Sequence, residues 1–174
     1  MKKGLLIFSG IVIICTIIFI IYWIYNKNNI TDIKKLGIYL DLDFNENVII
    51  RDIKYKHSKD NYGYSTELYL DLMVDKAYAN KTPYFMDNND SDEKEYYANV
   101  ESKLDSVGYE NIKINYDNLL FKEYEKGLIF FKEYIPYQID IYGVENSEND
   151  GYSKFIVRTT IPAKLNIDKE RILK

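Results

Sequence analysis

The chain has 174 residues, of which 29% are charged, and its formal net charge is −4. Two of the 23 basic residues, Lys2 and Lys3, lie near the start, and all 27 acidic residues follow residue 25, so residues 26–174 carry a net charge of −6. Nucleic-acid binding requires clustered Lys and Arg, so this balance argues against a nucleic-acid partner. The single cysteine, Cys15, excludes an intrachain disulfide, so stability must come from packing.

An uncharged, apolar segment covers residues 5–25. As a helix with about 1.5 Å rise per residue it would be roughly 31 Å long, which is the thickness of a bilayer's hydrocarbon core. It is longer than the apolar region of a cleaved secretory signal, about 7 to 15 residues, and no small-residue cleavage site follows it. The segment is apolar all round, whereas a buried core helix is usually amphipathic. We therefore predict a transmembrane helix, with membrane lipid as its partner.

The two ends of the predicted span carry different residues. It begins at Leu5 after a short basic tail, residues 1–4, and ends in the aromatic cluster of Tyr22, Trp23 and Tyr25. Aromatic rings of this kind concentrate at the lipid headgroups. Three lysines between residues 26 and 35 nearly balance the basic tail. A basic tail directly before a single span still favours a cytoplasmic tail and an extracytoplasmic domain.

The remaining chain has the length of one ordinary domain. We predict a polar stalk over residues 26–36, an α+β domain over 37–162, and a charged tail over 163–174 that holds at most one helical turn. The expected fold is mostly antiparallel sheet with one packed helix. An external domain without disulfides, rich in Ile, Asn, Lys and Tyr, indicates a bacterial cell surface.

Apolar and polar residues alternate in several segments, which is typical of strands with one buried face. In the first half, this pattern predicts strands at residues 38–44, 48–57 and 68–74, with a β-bulge near Arg51. In the second half it predicts strands at 112–116, 121–124, 131–134, 137–141 and 155–161, with a turn at 125–127 and Pro162 ending the last strand.

One amphipathic helix is predicted between these halves. Asp90 can act as its N-cap and Glu93 can complete a capping box. Gly108 follows the last periodic residue and should end the helix. The face expected to pack on the sheet has apolar residues at helical spacing: Tyr97, Val100, Leu104 and Val107.

Catalytic sites are poorly supported. His57 is the only histidine, and no thiol lies outside the predicted membrane span, so a Ser-His-Asp or Cys-His arrangement lacks its parts. Asp41-Leu42-Asp43 resembles the opening motif of haloacid dehalogenase-type phosphatases, but Asn45 stands where those enzymes carry Thr or Val. Because strand alternation already explains both carboxylates as outward residues, we predict no catalytic residue and no cofactor.

Calcium is the metal to consider, because acidic loops supply oxygen ligands. The two acidic groups are Asp87, Asn89, Asp90 and Asp92, and Glu145, Glu148, Asn149 and Asp150. Neither follows the EF-hand pattern, which requires Gly at the sixth position and Glu at the twelfth. We interpret both as solvated loops and predict no metal site.

The chain contains 18 tyrosines, far above ordinary usage. Alternation places Tyr39 and Tyr69 outward on two predicted strands, and tyrosine combines a rigid apolar ring with a polar tip, which suits protein interfaces. The alternative is that tyrosine is simply a good strand residue. We expect a non-catalytic binding or assembly protein of the cell envelope whose partner is another envelope or secreted protein. An immunity protein against a secreted toxin and a surface enzyme of unfamiliar type remain as alternatives.

Overall fold

A computed structural model of the chain describes residues 2–40, 42–61, 63–86, 94–126, 133–145 and 151–174. The helices are α1 (Lys2–Asn28), α2 (Ile33–Leu40), α3 (Lys76–Ala79), α4 (Lys94–Ser106) and α5 (Lys169–Ile172), with a 3-10 turn at Pro83–Phe85. The strands are β1 (Asn29–Ile30), β2 (Val48–Asp60), β3 (Gly63–Asp75), β4 (Ile114–Lys126), β5 (Glu133–Val144), β6 (Tyr152–Ile161) and β7 (Asn166–Ile167).

Five strands form one sheet in the order β2-β3-β6-β5-β4. Each neighbouring pair is antiparallel. The short strands β1 and β7 pair separately and in parallel. The predicted α+β class with a mostly antiparallel sheet is therefore confirmed.

The hairpin of β2 and β3 follows the predicted alternation. The pairing shifts register between Ile50 and Asp52, which confirms the bulge near Arg51. On β3, Leu68, Leu70 and Leu72 are fully buried. Their face of the sheet packs against α2, α3, the 3-10 turn and the C-terminal segment, in one apolar cluster that also includes Ile30, Leu36, Leu40, Val48, Val74, Phe85, Ile139, Ile141, Phe155, Val157, Leu165 and Ile172.

Helix α4 covers the opposite face of the same sheet. Leu104 packs there with Tyr69, Tyr142 and Ile156, and Tyr97, Val100 and Val107 lie partly buried beside them. Gly108 has a φ of 85°, a left-handed conformation that glycine adopts without strain, and the Tyr109 amide donates back to the Leu104 carbonyl at 2.9 Å. The packing face and the end of the predicted helix are confirmed, while Asp90 and Glu93 lie outside the described residues.

The prediction of a strand at residues 38–44 is wrong, because α2 occupies residues 33–40. The same residues also carry a helical period: Leu36 and Leu40 are four apart and both are fully buried. The Asp32 carboxylate caps this helix by accepting from the Lys35 amide at 2.8 Å. The segment predicted as a stalk, residues 26–36, also differs, since Ile30 and Leu36 are part of the core.

The second half contains fewer and longer strands than the pattern predicted. Strand β4 continues from Ile114 to Lys126, and residues 133–134 and 137–141 belong to one strand, β5, while residues 131 and 132 lie outside the described residues. The predicted hairpin is confirmed, because Lys126 pairs with Glu133, but the turn predicted at 125–127 is wrong since Glu125 and Lys126 belong to β4. In the tail, α5 confirms the expected helical turn, while β7 was not predicted.

Helix α1 extends over the predicted membrane segment. Across the part of the chain that the structure describes, no helix is both long enough and apolar enough to cross a membrane. The transmembrane character of residues 5–25 is therefore not shown by the structure.

Candidate functional site

The most exposed apolar surface among the described residues lies on α1. Eleven of its large apolar side chains are between 40% and 67% exposed, namely Ile11, Val12, Ile13, Ile14, Ile17, Ile18, Phe19, Ile20, Ile21, Tyr22 and Trp23. They occur on every side of the helix, so residues 11–23 of α1 do not pack against the sheet through one face. A contiguous apolar patch of this kind marks a contact with a membrane or another protein.

The end of α1 is fixed to the domain by β1 and β7. Asn29 pairs with Asn166, and the Asn166 side-chain amide donates to the Asn29 side-chain oxygen at 2.8 Å. The Asp168 amide donates to the Ile30 carbonyl at 2.9 Å, and Ile30 is fully buried. The point at which α1 leaves the domain is therefore set by main-chain pairing.

Of the two tyrosines predicted to form a binding patch, one is buried. Tyr69 is only 1% exposed and lies beneath α4. Its hydroxyl donates to Glu67 at 2.9 Å, and burial together with this carboxylate raises the pKa of Tyr69 to about 12. Tyr69 lies on the face of β3 opposite Leu68, Leu70 and Leu72, as predicted, but the expectation that it is exposed is wrong because α4 covers that face. Tyr39 lies in α2, not in a strand, and its side chain is outside the described set.

Around Tyr69, a charged cluster joins three strands to α4. The Arg158 guanidinium donates through Nε and Nη2 to Glu67 at 3.0 and 2.8 Å, and through Nη1 to Asp140 at 3.3 Å. Lys103 of α4 lies 3.3 Å from the same Glu67 oxygen. Burial alone would raise the pKa of Glu67, but the hydrogen bonds from Arg158 and Tyr69 and the charge of Lys103 hold it below its usual value.

This charged cluster is suited to holding elements together. Asp140 is 6% exposed and accepts from both Arg158 and Gln138, so its two oxygens are engaged within the protein. Opposite charges neutralise one another across β3, β5, β6 and α4. Sequence reasoning missed the cluster because it requires knowing which strands are neighbours.

A second polar group lies nearby under the end of α4. Oδ1 of Asp71 and the hydroxyl of Tyr109 are the two buried side-chain atoms without a hydrogen-bond partner among the described residues. The other Asp71 oxygen lies 3.2 Å from Lys154, yet burial raises the pKa of this carboxyl above its usual value. The Lys54 ammonium lies 3.9 Å from the Tyr109 ring centroid and donates to the Gly108 carbonyl. These contacts include no Ser, Thr, Cys or His side chain.

His57 is an exposed strand residue that contacts Thr66. Its Nδ1 lies 3.1 Å from the Thr66 hydroxyl oxygen. That hydroxyl already donates to the Ala163 carbonyl at 2.7 Å and accepts from the Leu165 amide at 2.9 Å. Because the hydroxyl proton points to a carbonyl, His57 is not placed to remove it, and Thr66 acts as a structural connector.

The acidic motifs are only partly described. Asp43 is exposed and accepts from the Asn45 side chain at 3.1 Å, whereas Asp41 lies outside the described residues. In the calcium candidates, Glu145 is described and the acidic residues at 87–92 and 148–150 are not. Within the described ranges, no group of three His, Cys, Asp or Glu side chains is arranged to hold a metal ion.

Strands β4 and β5 continue beyond the rest of the sheet. They pair as far as Lys126 and Glu133, whereas β5 pairs with β6 only from Ile139 to Gly143. Residues 121–126 and 133–138 therefore form a two-stranded ribbon, roughly 20 Å long. Leu119, at the base of this ribbon, is an exposed apolar residue. A ribbon of this kind presents unpaired backbone groups along its edges, where a further strand can add.

Comparison of the chain with protein-family models, curated proteins and solved structures finds no match.

Proposed function

We propose that this chain is a non-catalytic binding protein of the bacterial cell envelope, held in the cell membrane by α1 and carrying its domain outside the cytoplasm. The observation that carries the proposal is the exposure of the eleven apolar side chains on α1. In water, surface of this size and composition is unfavourable, so it needs an apolar environment. The uncharged sequence from Leu5 to Tyr25 has the length that a bilayer requires.

The binding surface that the geometry supports best is the ribbon of β4 and β5. Its edges can pair with a strand of another protein, a mode of recognition in which main-chain hydrogen bonds supply affinity. The charged groups described above are paired with one another, and the contacts described for Asp71 include no Ser, Thr, Cys or His side chain, which favours binding over catalysis. The proposed partner is another envelope or secreted protein.

The membrane proposal is tested by fractionation of cells that produce the full chain. A helix inserted in the hydrocarbon core is retained by hydrophobic transfer, so the protein should stay in the membrane pellet after washing with carbonate and with high salt, and leave it only in detergent. Protease added to cells without their wall should digest the domain. Release by carbonate would contradict insertion, and protection until lysis would contradict the orientation.

The ribbon proposal is tested with a shortened variant. Because Phe121 pairs with Gln138, joining these residues through Asn-Gly, which favours a tight hairpin turn, removes the ribbon and keeps the remaining register. The shortened protein should stay folded and membrane-bound but lose the protein that the intact chain captures after crosslinking in cells.

A matched control keeps the ribbon and substitutes its outermost paired residues, Lys126→Ala with Glu133→Ala. If the partner binds the ribbon through main-chain hydrogen bonds, this control should capture the partner as well as the intact chain does. Equal capture by the shortened variant would contradict the proposal. If the captured protein is a secreted toxin, the binding protein is an immunity protein.

A further inference from the structure

The topology places the end of α1 beside the turn of the β2–β3 hairpin. Strand β1 is parallel to β7, so the residues that precede Asn29 and Asn166 lie on the same side of this small sheet. Leu165 precedes Asn166, and its amide donates to the Thr66 hydroxyl at 2.9 Å. Thr66 lies three residues after Gly63, which begins β3 at the hairpin turn. The helix therefore leaves the domain on the side of that turn.

At this same end, two lysines flank an exposed tyrosine. The Lys59 and Lys164 ammonium groups each lie 5.3 Å from the centroid of the Tyr64 ring, which is 47% exposed. Lys59 is on β2, Tyr64 is on β3, and Lys164 follows β6. We call these three residues the hairpin-end patch. Asp60 is the one acidic residue between residues 53 and 66, so the end of this hairpin is locally basic in an otherwise acidic domain.

We propose that the hairpin-end patch rests on the bilayer that holds α1 and binds the anionic headgroups of its lipids. This inference rests on the proposed membrane anchor. Lysines near an anionic bilayer are attracted to its surface, and tyrosine is favoured at the depth of the headgroups. The two residue types occur together where the anchor leaves the domain.

The charge distribution supports one orientation of the domain at the membrane. Residues 26–174 carry a net charge of −6, so an anionic bilayer repels most of their surface and attracts the hairpin-end patch. The β4–β5 ribbon extends toward the same end: Ile139 pairs with Thr159 of β6, and Ile161 pairs with Thr66. With the patch on the headgroups, the ribbon meets its partner close to the membrane.

The experiment uses the full chain in lipid nanodiscs, with a fluorophore on Asn61→Cys in a Cys15→Ser background. Asn61 lies at the exposed turn of the hairpin. Spin labels on the lipid headgroups quench a fluorophore that lies among them. We expect strong quenching in discs with one third phosphatidylglycerol and weak quenching in phosphatidylcholine alone, with the difference lost at high salt.

Lys164→Gln should shift the ratio of docked to undocked domain about fivefold toward the undocked form, and Lys59→Gln should add to it. The control is Lys81→Gln, since Lys81 is exposed and follows the other end of β3, a strand roughly 40 Å long, and should change nothing. Quenching that is equal in both lipids, or unaffected by Lys164→Gln, overturns the proposal. Co-elution with the nanodisc is measured separately, so a failure of the anchor is distinguished from a failure of the patch.

Discussion

The two faces of the central sheet are both buried, but they are built from different chemistry. On the first face, β3 contributes Leu68, Leu70 and Leu72, which pack against α2 and the chain termini. On the second face, the same strand contributes Glu67, Tyr69 and Asp71, which lie near α4. The first face is held by aliphatic packing, and the second combines aromatic packing with ion pairs.

The difference shows what alternation along a strand can and cannot predict. Polar residues at every second position normally mark a solvated face. Here the polar positions of β3 form hydrogen bonds and ion pairs beneath a single helix. The second face is therefore covered, although its alternation pattern predicts an exposed face. A covered polar face needs partners from other strands, and Arg158 and Lys154 on β6 supply them.

The largest effect is expected from a charge on the first face. Leu70→Asp places a carboxylate among apolar side chains that offer it no cation, which costs several kcal/mol and exceeds what a small domain can lose. We expect the full chain in detergent to lose its near-ultraviolet tyrosine circular dichroism. A variant with unchanged thermal stability would show that the core has been assigned to the wrong face.

Truncation of one leucine on each face compares their packing directly. Leu70→Ala should lower the free energy of unfolding by about 3 to 5 kcal/mol. The cavity that it leaves is enclosed by the sheet on one side and by α2 and the C-terminal segment on the other, so it cannot easily collapse. Leu104→Ala should cost less, about 2 to 3 kcal/mol, since one helix can settle toward the sheet. Urea denaturation measures both, and a larger cost for Leu104→Ala would reverse the ranking of the faces.

Much of the fold follows from local patterns. The β2–β3 hairpin with its bulge, the packing face of α4 and the β4–β5 hairpin could be predicted because alternation, helical spacing and Gly108 each act within a few residues. The region at 33–40 was misassigned because its apolar residues fit both periods. The Asp32 cap and the long-range packing contacts of Leu36 and Leu40 stabilise the helix, and those packing contacts are visible only in the fold.

The candidate site was less predictable than the fold. Tyr69 has the outward parity that the sequence assigns, but α4 covers it, and the order of strands in the sheet determines which residues meet it. The hairpin-end patch joins residues more than one hundred positions apart, Lys59 and Lys164. Both arrangements join residues that are far apart in the sequence, so no local sequence pattern predicts them.

The ion pairs of the second face should contribute less than its leucine. Arg158→Met keeps most of the side-chain volume but leaves Glu67 and Asp140 without their guanidinium, and we expect a loss of about 1 to 3 kcal/mol in urea denaturation. Lys113→Met removes an exposed lysine from its ion pair with Glu101, and should leave the free energy of unfolding nearly unchanged because solvent screens the pair. Equal effects would mean that the Arg158 cluster is no more than a surface ion pair.

The smallest expected effects are changes with pH in the free energy of unfolding, and they distinguish two carboxyls of the second face, Glu67 and Asp71. The pKa of Glu67 is lowered in the folded protein, so its stabilising contribution is present at neutral pH and is lost as the pH falls through the folded pKa. Burial raises the pKa of Asp71, so its ionisation destabilises the fold as the pH rises through the folded value. Glu67→Gln should therefore become more costly as the pH rises from about 3 to about 5.5, through the folded pKa and the unfolded value of about 4.3, and solvent screening keeps this change small.

Asp71→Asn should show the opposite slope. The neutral amide avoids the cost of a buried charge, so its stability relative to the native chain should improve from about pH 4 to pH 7, partly offset by the loss of the contact with Lys154. Urea denaturation at several pH values measures both slopes in the same detergent. The view that folding lowers the pKa of Glu67 and raises that of Asp71 requires the two variants to change stability with pH in opposite directions. Slopes of the same sign would contradict it.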